Sequence, residues 1–551
     1  MRLWLAIFAL CGSVGGQSTA RLEGRVVSQT GEPLGKVTVR LQTTAPGIGG
    51  QVTQYLEVSD NAGKFVFESV PPGRYALFPE RTGFSRVRTG DATPTIALQA
   101  GEVKKDVEIK LIQRGVISGR ITDQDGDPVF EAPVRALRVQ YDGTRRYLTA
   151  YAEATSDDQE NFRILNLEPG RYYPMADNPR PRANLGTAEH RGRSAQNVQI
   201  LTFYPSATDF DGALAIDVGA GAEVRGVNIR MVKARVFSIR GKTVDSRSGA
   251  PTVAHLGLIP KGTDLDRLNG KDEASASSDT GAFEFGGLRA GTYILQASPD
   301  TRGLTGRMEV TVANADVEGL VFALYPPPEI TGTVRIEDGD LGVLQRPPDF
   351  AALNRRPTGA GPRIVLSTFD VGGPMEAAGQ VAADGTFKIQ NFTRSVYTVH
   401  VDLLPPGTYI KSIRFGGQDA MKTPLDLTAG TGGVLEVLLS QKVAEVNATV
   451  HGDATAGISV TMWSKSPTLI DPLFRRAFRT GPDGTVRLTD MPPGEYYVAA
   501  WETNPNLTIP DFLARFTGLA TPIKLAENDK AMVDLTLIPK DKIAAEIAKL
   551  P

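Results

Sequence analysis

A pattern that returns five times constrains this 551-residue chain more than any other feature. Its first copy opens on Leu22-Glu23-Gly24-Arg25-Val26-Val27, turns at Thr30-Gly31-Glu32-Pro33 and continues as Val37-Thr38-Val39-Arg40-Leu41. Asp60-Asn61-Ala62-Gly63-Lys64-Phe65-Val66-Phe67 and Val70-Pro71-Pro72-Gly73-Arg74-Tyr75 follow, and an alternating stretch from Val103 to Ile112 closes the unit. The same order restarts at Ile117-Ser118-Gly119, at Ile239-Arg240-Gly241 and at Ile330-Thr331-Gly332. The fifth copy is looser at its start, Val446 to Val450, but keeps Asp483-Gly484-Thr485-Val486 and Pro492-Pro493-Gly494-Glu495-Tyr496.

Each piece has a local physical reason. Asp-Gly or Asn-Ala-Gly between alternating apolar residues supplies the positive φ of a hairpin turn. In Phe65-Val66-Phe67, residues two apart share one face of a strand. The Pro-Gly step breaks a strand, and the tyrosine after it restarts one. The landmarks recur roughly every 100 to 120 residues, the span of a sandwich domain rather than a solenoid coil. The expected fold is therefore all-β: a string of about five Greek-key, Ig-like β-sandwich domains over 21–113, 114–235, 236–328, 329–442 and 443–551. Tyr75, Tyr172, Tyr293, Tyr397 and Tyr496 are expected at equivalent inward positions. Pro510-Asp511 ahead of Phe512-Leu513 and Phe516, with Gly518 behind, predicts a helix of one to two turns folded back on the fifth unit.

These landmarks resemble the carboxypeptidase regulatory-like domain, a transthyretin-type β-sandwich with an opening Gly-x-Val/Ile strand, a Gly-x-Pro turn, Asp-x-x-Gly-x-Phe and a Pro-Gly-x-Tyr re-entry. The resemblance covers nearly all of the chain after the leader and is sharpest in the first and third copies. It implies tandem domains of the kind found in secreted and envelope proteins of bacteria. Fold alone implies no activity.

The N-terminus reads as a signal peptide over 1–20: Met1-Arg2, the apolar run Leu3 to Leu10, then Ser18-Thr19-Ala20 with small residues where a signal peptidase cuts. That run is too short for a permanent spanning helix, and no later stretch reaches about 18 apolar residues, so no transmembrane helix is expected after signal removal. The expected location is secreted, or periplasmic and outer envelope. Lipidation at Cys11 is the alternative, disfavoured by bulky Leu10 before it. Cys11 is the only cysteine. The mature chain therefore has no disulfide, no thiolate nucleophile and no Cys-ligated zinc. A net charge of −2 argues against nucleic acid as a partner.

A search for chemistry returns little. A zinc carboxypeptidase needs His-x-x-Glu, but three residues after His190, His255, His400 and His451 stand Arg193, Leu258, Leu403 and Ala454. Asp123, Asp125 and Asp127 sit like the first ligands of a calcium loop, yet Pro128 and Val134 occupy the places of its Gly and Glu. Lys242 and Asn447 lie on opening strands without the third residue an isopeptide bond needs. Gly-x-Ser-x-Gly and phosphate-cradling Gly-rich motifs are missing. No catalytic, cofactor or metal residue is assigned, and the reading is non-enzymatic.

Binding capacity is expected in what differs between copies. The second unit inserts Ala176 to Gln199, with Arg180, Arg182, Arg191 and Arg193; the fourth inserts Gln345 to Arg363, with Arg346, Arg355 and Arg356. The fifth holds Trp463 and Trp501. If Tyr496, Val498 and Ala500 face the core, Trp501 points outward, either to stack on a sugar ring or to pack under a loop. The candidate ligand contacts are Arg180, Arg182, Arg191, Arg193, Trp463 and Trp501. The leading function is binding or adhesion with an extracellular glycan or protein ligand; the alternatives are a structural spacer in the envelope and an enzyme with an unrecognised site.

Overall fold

The structure is a computed structural model. It describes residues 18–549 except 45–51, 87–94, 143–144, 178–196, 262–271, 276–279, 299–302, 346–360, 369–375, 453–454, 466–474 and 504–509. Among the described residues 58% lie in strands and 4% in helices, which makes this an all-β protein. No helix among the described residues is long and apolar enough to cross a membrane.

The first copy of the pattern sets the plan. One sheet orders its strands as Lys64–Val70, Ala20–Ser28, Val103–Gln113 and Phe84–Arg86. The other runs Gln54–Val58, Thr38–Thr43, Gly73–Glu80 and Thr95–Leu98. Leu22, Val26, Phe65, Phe67, Ile109 and Leu111 from the first sheet meet Val39, Leu41, Tyr75 and Leu77 from the second in one buried cluster. The alternation in Phe65-Val66-Phe67 thus does what its period dictates. Ala20, the last residue of the expected leader, already lies in the opening strand, buried and paired with Val70. Corresponding sheets and separate core clusters recur in the later copies, and each described sheet draws its strands from one copy.

The opening strand pairs parallel with the closing strand every time. Examples are Val26 with Ile109, Ile117 with Val224, Thr243 with Phe322, Val334 with Val437 and Val446 with Ala531. Parallel neighbours run the same way, so the chain enters at one end of the sheet and leaves at the other. The next opening strand starts almost at once: Gln113 ends a strand and Gly115 begins one, as do Arg235 and Phe237.

The opening glycine faces the hairpin phenylalanine. Gly332 pairs with Phe387, and a Cβ there would lie 2.2 Å from the ring and 2.3 Å from the Leu435 carbonyl; Gly24 meets Phe65 and Val107 the same way. The looseness of the fifth copy has its cause here: Ala448 stands opposite Val486, a slightly larger residue against a smaller one.

Two features depart from or extend the expectation, and one agrees with it. In the fifth copy the two sheets are joined through parallel pairing of Ala500 with Leu537 and Trp501 with Ile538. The helix expected after Asn506 is present as Pro510–Ala514. A second helix, Lys540–Ala548, was not foreseen, although Lys, Asp, Ile, Ala and Glu after Pro539 are helix-compatible residues.

Candidate ligand-binding surfaces

The five re-entry tyrosines are buried, and each anchors the corner that precedes it. The hydroxyls of Tyr75, Tyr172, Tyr293, Tyr397 and Tyr496 donate to the carbonyls of Pro71, Glu168, Arg289, Thr393 and Pro492, at 2.7, 2.6, 2.8, 2.7 and 2.8 Å. A rigid corner results, comparable to the tyrosine corner of immunoglobulin-type sandwiches. Burial pushes the phenols of Tyr75, Tyr172 and Tyr397 above their ordinary value, because a phenolate would be desolvated there.

The tyrosine strand always pairs antiparallel with a strand that comes later in the same copy. What lies between the two differs greatly. The gap runs from Ser298 to Gly306 in the third copy and from Ala176 to Ile216 in the second. In the second and fifth copies part of this crossing segment folds back as a third layer. Leu201 and Phe210 cover Leu137, Leu148, Tyr173, Met175 and Phe203, the last on a short strand that extends the same sheet. Phe512, Leu513 and Phe516, with Ile543 of the last helix, cover Trp463, Ala499 and Trp501.

That layer corrects one expectation. Trp501 does point away from the Tyr496 core, but it is 1% exposed and Trp463 is 7% exposed. Trp501 stacks on Trp463 at 6.4 Å, meets Phe516 edge-on at 5.1 Å and donates its Nε1–H to the Thr461 hydroxyl at 3.0 Å. Both tryptophans pack under the crossing segment, so neither offers a ring to a ligand. Arg180, Arg182, Arg191 and Arg193, and the insertion arginines Arg346, Arg355 and Arg356, lie outside the described residues. The stem of the basic insertion is described: Asn197–Gln199 pairs with Lys233–Arg235.

The calcium alternative is displaced by a lysine. The Lys233 ammonium lies 2.8 Å from Asp123 and 2.7 Å from Asp125 and supplies the positive charge that the turn would take from a cation. It also holds the Asp123 carboxyl below the usual carboxylate range. Lys242 and Asn447 are exposed, away from the buried setting an isopeptide bond needs. His451 pairs with Asp534 at 2.8 Å and His400 lies 3.5 Å from Asp402; His190 falls outside the described residues.

Sequence reasoning overlooked a surface on the second copy. Two open depressions, of about 710 and 620 Å³, lie where the edge strands Arg145–Thr155 and Asn161–Leu167 of its two sheets run side by side, and both are lined by Arg163. The first also takes in Arg120 and Arg225, with Asn161 and Asn228; the second takes in Arg114 and Tyr151. Arg163 and Arg225 share one carboxylate, Glu223, at 3.4 and 2.7 Å, and Arg225 holds that carboxyl below its ordinary range. The buried Nε of Arg114 has no hydrogen-bond partner among the described residues. Tyr151 is fixed by the Arg138 guanidinium over its ring at 4.3 Å and by Tyr172 edge-on at 5.5 Å. The signal for this surface was present in sequence: Arg163 and Leu165 alternate with core residues Phe162 and Ile164, which turns the former pair outward.

A segment of 124 residues is 30% identical to the large ribosomal subunit protein uL2 of Haloarcula marismortui; it takes in 21% of this chain, which spans about half the length of that protein. Among solved structures, a streptococcal ancillary pilin is similar at 12% identity and a TM-score of 0.21, covering 56% of this chain and 99% of its own. A minor pilin of Streptococcus agalactiae is similar at 16% identity and a TM-score of 0.21 (39% and 97%), and the Bacillus anthracis TIE protein at 12% and 0.16 (91% and 74%). Superpositions this loose leave function to the chain's own residues. Residues 21–111 match the carboxypeptidase regulatory-like domain, with Gly24, the Asp60 turn and Tyr75 in the roles described above, and this first sandwich is therefore a carboxypeptidase regulatory-like domain.

Proposed function

We propose that this chain is a non-enzymatic, exported binding protein built of five autonomous sandwiches, with boundaries near residues 113, 235, 328 and 442 and a leader removed at its start. The observation that carries the reading is the crossing segment after the tyrosine strand. The scaffold is held constant by five identical tyrosine corners. Sequence length and chemistry vary at one topological position beside it, and the longest variant holds Arg180, Arg182, Arg191 and Arg193. Variable segments on a rigid scaffold are where recognition concentrates. The ligand class is an extracellular glycan or protein.

A spacer role is the second reading, favoured by the parallel pairing of opening and closing strands, which sends the chain out at the end opposite its entry. The two are separated by probing glycan and protein arrays with the full chain and with a variant lacking Arg180 to Arg193. Binding by the parent that the deletion weakens supports the binding protein. Equal binding by both chains moves the site away from the insertion, and no binding by either favours the spacer.

A further inference from the structure

We infer that the two depressions flanking Arg163 form one groove for an acidic polysaccharide, a sugar chain bearing sparse carboxylates; this rests on the binding-protein reading and deepens it. Four guanidiniums face the groove, Arg114 at one end, Arg163 in the middle, and Arg120 and Arg225 at the other. Their own acids do not saturate them. Glu223 is divided between Arg163 and Arg225, and Arg120 has Glu160 at 3.3 Å. A guanidinium with donors to spare recognises a carboxylate through paired hydrogen bonds.

The neutral groups select among anions. Ser118, Asn161, Asn166 and Asn228 place hydroxyl and carboxamide groups along the same space, partners suited to sugar hydroxyls. Tyr151 and Leu165, both partly exposed, supply an apolar patch at the Arg114 end on which a sugar ring can lie. Asp157, Glu223 and Glu153 also face the groove. A dense polyanion such as nucleic acid would set its phosphates against these acids, whereas widely spaced uronic acids fit between them. A peptide fits less well, since tight peptide docking depends on enclosed apolar anchor pockets and both depressions are open and polar.

The test uses the full chain and calorimetric titration with a hyaluronan oligosaccharide, in which a uronic acid alternates with a neutral sugar, its methyl ester with the carboxylates masked, and a glutamate-rich peptide. The acidic oligomer is expected to bind, with the ester about tenfold weaker. Arg163→Gln and, separately, Arg225→Gln should each weaken the acidic oligomer about tenfold, with Arg163→Lys intermediate. Both arginines are more than half exposed, so folding is expected to survive, and unchanged melting confirms it. Equal binding of oligomer and ester, parental binding by both Gln variants, binding of the peptide alone, or no binding of the oligomer overturns the groove. If the Gln variants bind as the parent while loss of residues 180–193 abolishes binding, the groove fails and the binding-protein reading stands.

Discussion

The Tyr172 hydroxyl donates to the Glu168 carbonyl at 2.6 Å, and the Arg138 guanidinium lies 4.4 Å over the same tyrosine ring while donating to Glu168 and Pro169. One side chain thereby ties a turn to the core, and a second locks both. The other four units keep the tyrosine and its bond to the residue four positions earlier. Removing only the hydroxyl isolates that bond. Tyr397→Phe or Tyr496→Phe is expected to cost about 1–2 kcal/mol, and Tyr496→Ala about 3–5 kcal/mol, read from denaturant unfolding. Equal stability of the Phe variants would show that the corner carbonyls find water instead.

The same tyrosines set the alkaline limit. Burial raises the phenols of Tyr75, Tyr172 and Tyr397 in the folded chain, so folding favours their neutral form. Their stabilisation is complete below the unfolded value of about 10 and is lost as pH climbs above it toward the raised folded values. Melting temperature should fall above about pH 10, with the tyrosinate absorbance of these residues appearing only on unfolding. Early ionisation in a fully folded chain would contradict their burial.

Glycine and phenylalanine face each other across one sheet of the first four units. Gly332→Ala would push a Cβ into the Phe387 ring and the Leu435 carbonyl, and should destabilise the fourth unit by about 1–3 kcal/mol. Adding Phe387→Val recreates the Ala448–Val486 pair of the fifth unit and should recover part of that loss. A double variant less stable than the sum of the two singles would refute the coupling.

Of the three tryptophans, Trp463 and Trp501 lie beyond the expected leader, and their emission reports on the fifth unit. Both are buried beneath the third layer of the fifth unit, so their emission should be blue-shifted and resist quenching by acrylamide. Deleting Lys540 to Lys549 takes Ile543 off that layer and should shift emission to the red. Solvent-like emission from the intact chain would mean the layer does not form.

Parallel pairing of first and last strands, with one-residue connections at Arg114 and Val236, favours an extended string. A compact body of this length would have a radius of gyration of about 24 Å. X-ray scattering is expected to give a clearly larger value; one near the compact figure would mean that the units fold onto one another.

Local chemistry made much of the architecture readable from the chain alone. The positive-φ turns, the two-residue alternation, the Pro-Gly-x-Tyr steps and the Pro510 helix are all set by residues close in sequence, where steric preference acts directly. What tertiary structure decided depended on distant partners. Trp501 faces away from one core, as its period dictates, but whether that face meets solvent hinged on Phe516 and on Ile543 of a helix beginning 39 residues later. The cation at the Asp123 turn is Lys233, on the far side of the unit in sequence. Arg163 faces a groove only because two sheet edges are brought side by side. Strand periodicity specifies which way a side chain points; burial, charge pairing and groove shape depend on what the rest of the fold places in front of it.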